Sequence, residues 1–326
     1  MRAITFDEFG PPSVLNLTEA EKPKPGPGQV LICVRAAGVN PIDCKIRSGK
    51  AAARFDVHFP AIPGWECSGE IAALHSENPA SAEDLPALKV GSRVFAYSRP
   101  EGEPGKKLML ARGCYAEFVA LPAAHIAVLP DKVDIVDGAA TPLAGLTALQ
   151  ALEALQVGEG KTVLIQAAAG GVGHLAVQLA KLAGARVIGT ASKKNHGWLK
   201  KLGCDELIDY KAHDFATELR KKHPQGVDAI LDSIGGDTLM AGMDCLREGG
   251  RLVSLVQPVD GLSKPGREAI YVFVQPNGAQ LWHLATLLQE GQLKPRIAKE
   301  YALKDAAKAH MLIEKHHVAG KLVLTV

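Results

Sequence analysis

Between residues 165 and 174 the chain reads Ile-Gln-Ala-Ala-Ala-Gly-Gly-Val-Gly-His. The chemistry such a stretch can do is anion binding by main chain. Gly170 and Gly171 let backbone N–H groups approach a pyrophosphate, Val172 lies between them and the helix, and Gly173 lets that helix start close to the preceding strand. The positive end of the helix then adds to the attraction. The spacing Ala167-x-x-Gly170-x-x-Gly173 departs from the common Gly-x-Gly-x-x-Gly, yet it meets the same physical demands, so the stretch reads as a dinucleotide-binding turn. Roughly 20 residues further on, a site for a free ribose diol carries Asp or Glu. This chain has Thr190-Ala191-Ser192-Lys193-Lys194-Asn195 instead. A hydroxyl and two ammonium groups suit a 2′-phosphate, which an acid would repel. Ser192, Lys193, Lys194 and Asn195 therefore point to NADP(H). Tyr210 either closes over the ribose phosphate or is a surface tyrosine.

The elements that must position this turn follow from periodicity. Lys161–Gln166, Arg186–Thr190, Glu206–Asp209, Val227–Asp232 and Arg251–Leu255 read as short buried strands, with helices over His174–Ala183, Trp198–Leu202 and Phe215–Lys222 between them. Strand alternating with helix at this interval predicts an α/β fold with a Rossmann doubly wound parallel sheet. Before it, Val30–Arg35, Val90–Ala96 and Tyr115–Val119 read as strands in a Gly- and Pro-punctuated, irregular β-rich region, with a polar loop over 75–89. Ala139–Leu155, Gly278–Glu290 and Leu303–His316 read as helices. The terminal strand Lys321–Val326 can pair back with the first region and make that domain discontinuous. The expected division is 1–124 completed by 275–326, with 125–274 as the nucleotide domain.

Composition excludes several classes. A net charge of +2 with 22% charged residues gives no reason to propose nucleic acid or an anionic membrane as partner. No apolar stretch approaches the ~20 residues that span a bilayer. The start, Met1-Arg2-Ala3-Ile4-Thr5-Phe6-Asp7, reads as a strand rather than a signal peptide, which makes the cytoplasm the expected location. Six cysteines without a Cys-x-x-Cys read as reduced thiols. His310, His316 and His317, on a polar helix, read as surface residues.

Several blocks, in order along the chain, carry a resemblance. They are Ala36-Ala37-Gly38-Val39-Asn40-Pro41-Ile42-Asp43, Pro63-Gly64-Trp65-Glu66-Cys67-Ser68-Gly69-Glu70-Ile71, Val90–Val94, Gly113–Phe118, Gly145–Ala148, the glycine turn and Gly320–Leu324. Together they resemble the zinc-independent quinone oxidoreductases of the medium-chain dehydrogenase/reductase superfamily, close to the enone/quinone reductase branch. The resemblance implies a GroES-like β-rich catalytic domain beside the Rossmann domain, a homodimer, and a small-molecule quinone or enone as substrate. Where zinc alcohol dehydrogenases carry Cys and His, this chain has Asn40 and Trp65, so the resemblance implies no metal; a site recruiting Cys44, Cys67 and Glu66 is the remaining route to one. The implied reaction is hydride transfer from NADPH to a quinone or to the β-carbon of a conjugated carbonyl. The same fold also serves nucleotide-binding sensors and structural proteins.

The resemblance also distributes roles. Lys45 is carried over as a donor to the acceptor's oxygen or to a ribose hydroxyl, against an ordinary surface lysine. Asn40 is carried over as an orienting amide, against a turn former before Pro41. Thr141 is carried over as a nicotinamide-side hydroxyl, against a cap before Pro142. Asp43 either positions Lys45 or caps a turn. Leu255 and Val256, and Phe273 and Val274, are expected to offer main-chain groups to the cofactor, and Lys321 in the terminal block is counted with the cofactor set. Residues around 46–60 and 98–112 are expected at the acceptor's mouth.

Overall fold

The computed structural model describes residues 1–75, 85–100 and 106–326. The chain forms two compact units, Met1–Leu143 with Gln275–Val326, and Ala144–Val274. Most of the loop expected over 75–89, and residues 101–105 of the expected mouth, lie outside the described residues.

In the second unit six strands run parallel in the order Glu206–Ile208, Arg186–Thr190, Thr162–Ile165, Val227–Asp232, Leu246–Ser254 and Glu268–Tyr271. Leu164, Ile188, Ile230 and Leu252 from successive strands share one core with Leu239 and Met243 of the Gly236–Asp244 helix. Burial on both faces explains the unbroken apolar runs of these strands. The connections diverge between Thr162–Ile165 and Val227–Asp232, which makes the ends of these two strands the switch point where such sheets bind ligands. The strand Glu268–Tyr271 is not legible by period: it is a short edge strand with no buried residue.

The first unit is built around Gln29–Val39. On one side this strand pairs with Glu66–Leu74; on the other it pairs with Phe118–Pro122 over residues 29–33 and with Lys321–Thr325 over residues 36–39, all antiparallel. The terminal strand thus does complete the first sheet. The boundary expected at 124/125 lies instead at 143/144. Two contacts account for the difference. Ile126–Val128 pairs with Arg93–Tyr97, and Ala139 and Ala140 bury their methyls against Ala36 and Val323. The single helix expected over Ala139–Leu155 is two, Ile135–Ala139 and Pro142–Ala154, and the helix expected over Leu303–His316 is shorter, Ala306–Ile313. All six cysteines are free thiols, five of them buried. Among the described residues no helix is long and apolar enough to cross a membrane.

Candidate active site

The glycine turn of the second unit is fixed to its neighbouring strand before it reaches the helix. Ala167 takes the left-handed backbone conformation, φ 49°. Its N–H donates to Thr190 Oγ1 at 3.1 Å, and the Ala168 N–H donates to the Thr190 carbonyl at 3.0 Å. His174, fully buried, has Nδ1 2.8 Å from the Gly170 carbonyl, so that nitrogen is the donor. A Cβ on Gly173 would collide with the Ala167 carbonyl oxygen and stand 2.8 Å from Ala168 Cα, so only glycine lets the Gly173–Leu182 helix begin this close to the strand. Gly170, Gly171 and Val172 remain half-exposed. Among the described residues, the N–H groups of Gly171, Val172 and Gly173 find no protein acceptor. Unsatisfied donors at a helix N-terminus are what a pyrophosphate requires, and this turn fits the group.

The Ser192–Asn195 loop sits at the end of the adjacent strand. Ser192 is buried, its Oγ accepting from Asn195 Nδ2 at 3.3 Å, and Asn195 Oδ1 accepts from Trp198 Nε1 at 3.4 Å. His196 Nε2 donates to the Ala191 carbonyl at 2.9 Å. These bonds hold the loop and leave Lys193 and Lys194 exposed. Lys193 also lines a cavity of about 390 Å³ with Lys200 and His213, over the edge strand Glu206–Ile208. Tyr210 is half exposed. At the switch point, Asp232, absent from the sequence reading, accepts from the Ile234 and Gly235 N–H groups and from Ser254 Oγ. The Leu255 and Val256 N–H groups are bonded to the Asp232 carbonyl and to Ser254 Oγ, which leaves these two residues their carbonyls to offer. Phe273 is half-buried and Val274 is buried.

The first unit holds a buried charged network. Lys321 Nζ donates to Glu66 Oε1 and to Asn40 Oδ1, each at 2.5 Å, and reaches the Val39 carbonyl at 3.4 Å. Asn40 Nδ2 donates to the same Glu66 oxygen at 2.8 Å, while Glu66 Oε2 accepts the Leu143 N–H at 2.7 Å, in the first turn of Pro142–Ala154. The side chains of Lys321 and Glu66 are 3% and 0% exposed. Gly38 makes the room: a Cβ there would collide with the Glu66 carboxylate. A glycine inside a strand is the signal that could have announced this close approach. Three residues carried over by resemblance lie in or beside this network. The Lys321 ammonium is enclosed by protein acceptors. Both polar atoms of the Asn40 amide bond within the network, Nδ2 to Glu66 and Oδ1 to Lys321. The Thr141 hydroxyl, fully buried, donates to the Asp137 carbonyl one turn back, at 2.7 Å.

Lys45 is exposed on the outer face of the Pro41–Arg47 helix, and among the described residues its ammonium meets no acceptor. The inner face carries Asp43, Cys44, Ile46 and Arg47. Asp43 Oδ2 accepts the Asn40 N–H at 2.8 Å and the Tyr115 hydroxyl at 3.3 Å. His310 Nε2 lies 3.3 Å from the same hydroxyl. His310 was expected at the surface; it is fully buried, because the Ala306–Ile313 helix turns Ala306, Ala309 and His310 inward together. His316 and His317 are exposed, as expected.

Residues 26–131 match the alcohol dehydrogenase GroES-like domain, and residues 202–324 match the zinc-binding dehydrogenase family. The structure of the quinone oxidoreductase from Coxiella burnetii superposes with a TM-score of 0.86 at 38% identity, covering 100% of this chain and 99% of that one. The chain belongs to the zinc-independent quinone oxidoreductase family of the medium-chain dehydrogenase/reductase superfamily. The Escherichia coli quinone oxidoreductase complexed with NADPH gives a TM-score of 0.86 at 27% identity over the whole of both chains. The NADPH-dependent alkenal/one oxidoreductase of Arabidopsis thaliana is 31% identical over 99% of this chain and 79% of its own length.

Within this quinone oxidoreductase fold, the residues around Asn40 do not fit a zinc ion. Trp65 has no ligand atom for it. Both Glu66 oxygens accept hydrogen bonds, and Lys321 already brings a cation against Oε1. Among the described residues no group of three or more His, Cys, Asp and Glu side chains is placed to hold a metal ion. Trp65 instead packs edge-on against Phe55, with ring centres 5.4 Å apart.

Proposed function

We propose that this protein is an NADP(H)-dependent reductase of quinones or α,β-unsaturated carbonyl compounds that works without zinc. The observation that carries this reading is the Lys321 ammonium bonded to Asn40 and Glu66, where a zinc enzyme of the superfamily would hold its metal. Without a Lewis acid an alcohol's oxygen is poorly activated for oxidation, whereas an acceptor that is already electrophilic needs only a donor at its oxygen. Lys45 is that donor. Its ammonium stands clear of protein acceptors on a helix whose inner face is fixed by buried bonds, and it stabilises negative charge as it develops on the acceptor oxygen. The reduced nicotinamide, when bound, supplies the hydride. Gly171, Val172 and Gly173 would hold the pyrophosphate through their N–H groups, and Ser192, Lys193 and Lys194 the 2′-phosphate. Two relatives support the choice of cofactor: one has NADPH dependence in its name, and the other was solved with NADPH. A homodimer and a cytoplasmic location go with the reading; the edge strand Glu268–Tyr271, paired on one side only, is where a second copy would extend the sheet.

The test is oxidation of NADPH and of NADH against a panel of quinones, alkenals and enones, with and without a strong chelator. Turnover that prefers NADPH and survives chelation is expected. Loss of turnover on chelation would overturn the zinc-free chemistry. Tight NADPH binding with no turnover of any acceptor would favour a sensor or structural role.

A further inference from the structure

The inner face of the Pro41–Arg47 helix has a chemistry that the proposed reaction does not use. Asp43 is 1% exposed, and its two oxygens differ. Oδ2 accepts from the Asn40 N–H, closing the first turn of the helix, and from the Tyr115 hydroxyl. Among the described residues Oδ1 is buried with no partner. Tyr115, itself fully buried, lies between Asp43 and His310 Nε2. His310 Nδ1 is also buried without a partner among the described residues. On the same helix face Arg47 pairs with Glu314, and among the described residues its Nε and Nη1 are unpartnered.

We propose that Asp43 is a proton-sensitive positioning residue: its carboxylate, tied through Tyr115 to His310, anchors the segment that carries Asn40 and Lys45, and protonation at its free oxygen slackens that anchor. The catalytic part of this inference rests on the reductase reading, while the anchor itself does not.

The hydrogen bonds define the two states. With Asp43 ionised, Tyr115 donates to Oδ2 and His310 Nε2–H donates to the tyrosine oxygen, so every proton in the line points toward the carboxylate. Oδ1 is the atom that can accept a proton without displacing either bond at Oδ2. Protonation there removes the charge that strengthens both bonds, and the N-terminal turn of the helix loses its charge-assisted partner. Burial is the largest influence on Asp43 and raises its carboxyl to about 7, within the range where enzymes work. Glu66 adds to that rise, while the Asn40 N–H, Lys321 and the Tyr115 hydroxyl oppose it. Tyr97, Cys114 and, on its own helix, Cys44 are also within its field; burial holds all three protonated. His310 stays neutral, held down by burial and by Arg47, so it acts only as a hydrogen-bonding relay end.

The experiment compares wild type, Asp43→Asn and Tyr115→Phe as full-length proteins. In wild type, kcat/KM is expected to rise severalfold as pH increases through about 7. In Asp43→Asn the step disappears and activity stays near the low-pH level. In Tyr115→Phe the step persists with its midpoint moved up, because a bond to the ionised form is gone. A step with the same midpoint in wild type and Asp43→Asn would overturn the proposal. The same proteins are compared by Tm against pH, which needs no acceptor. The folded chain retains the Asp43 proton to higher pH than the unfolded chain, so wild type is expected to lose stability relative to Asp43→Asn as pH rises from about 4 through about 7. Parallel curves would show that Asp43 does not titrate across this range and would overturn the proposal. Absent turnover with the expected divergence in Tm would defeat the reductase reading alone.

Discussion

The two units solve the problem of placing charge in opposite ways. The glycine turn of the second unit is made almost entirely of main chain: N–H groups without acceptors, a helix end, and glycines where a side chain would not fit. The network of the first unit is made of side chains, with Lys321 and Glu66 sealed from water and bonded to Asn40. A main-chain site is insensitive to most substitutions and vulnerable only where a Cβ is forbidden. A buried ion pair is vulnerable at every member, because removing one leaves the other uncompensated.

The largest effect that would break this contrast is expected at Lys321. Lys321→Met leaves the Glu66 carboxylate buried and unpaired and is expected to destabilise the protein by about 3–5 kcal/mol; adding Glu66→Gln should recover much of the loss, as read by denaturant unfolding of both variants. Equal destabilisation in the single and double variants would show that the two charges are not coupled. Next comes Lys45→Ala. With the fold intact, kcat/KM is expected to fall by about 10²-fold, the usual loss for one donor at a developing oxyanion; unchanged turnover would remove Lys45 from the chemistry. Gly173→Ala should leave the Tm of the first unit in place and weaken NADPH binding by roughly tenfold, about 1.4 kcal/mol, measured by nicotinamide fluorescence titration. The smallest effect is expected for the exposed ammonium groups. Replacing Lys193 and Lys194 by Ala should narrow the gap between NADPH and NADH, each charge contributing about 1 kcal/mol or less in water.

Acid stability sharpens the comparison within the first unit. His310 is held down to about 3 by burial and by Arg47, against 6.5 when exposed. Below pH 6.5 the unfolded chain takes up a proton that the folded chain refuses, so this group's stabilisation is full above 6.5 and is lost as pH falls toward 3. Asp43 slopes the other way across the same interval. His310→Asn is therefore expected to gain stability relative to wild type as the pH falls from 6.5, seen as diverging Tm curves.

What was legible in the sequence follows the same division. The turn, the strands around it and the Ser192–Asn195 loop were readable because they depend on local spacing and glycine, and the structure brings them to one end of one sheet. The network was not. Lys321 lies 255 residues from Glu66 and 281 from Asn40, and no local period links them. Resemblance flagged Asn40 and Lys321 but not their pairing with Glu66, because a motif records that a residue type recurs and not which buried partner it meets. His310 was misplaced for a related reason: its helix looks polar in sequence, and only tertiary packing selects the inner face. Edge strands such as Glu268–Tyr271 escaped because a partly wet strand carries no strong alternation.

The pairing of Lys321–Thr325 with Gln29–Val39 also sets an order of assembly. The second unit is continuous in sequence and can fold as soon as residue 274 has left the ribosome. The first unit must wait, with the Gln29–Val39 edge unpaired over residues 36–39 and the Glu66 carboxylate without its cation, until the segment 275–326 arrives. The longest-range contacts in the molecule therefore form last, and the interval before they form is when the chain is most exposed to misassociation. The lysine that holds the site together is also the latch that ends this interval.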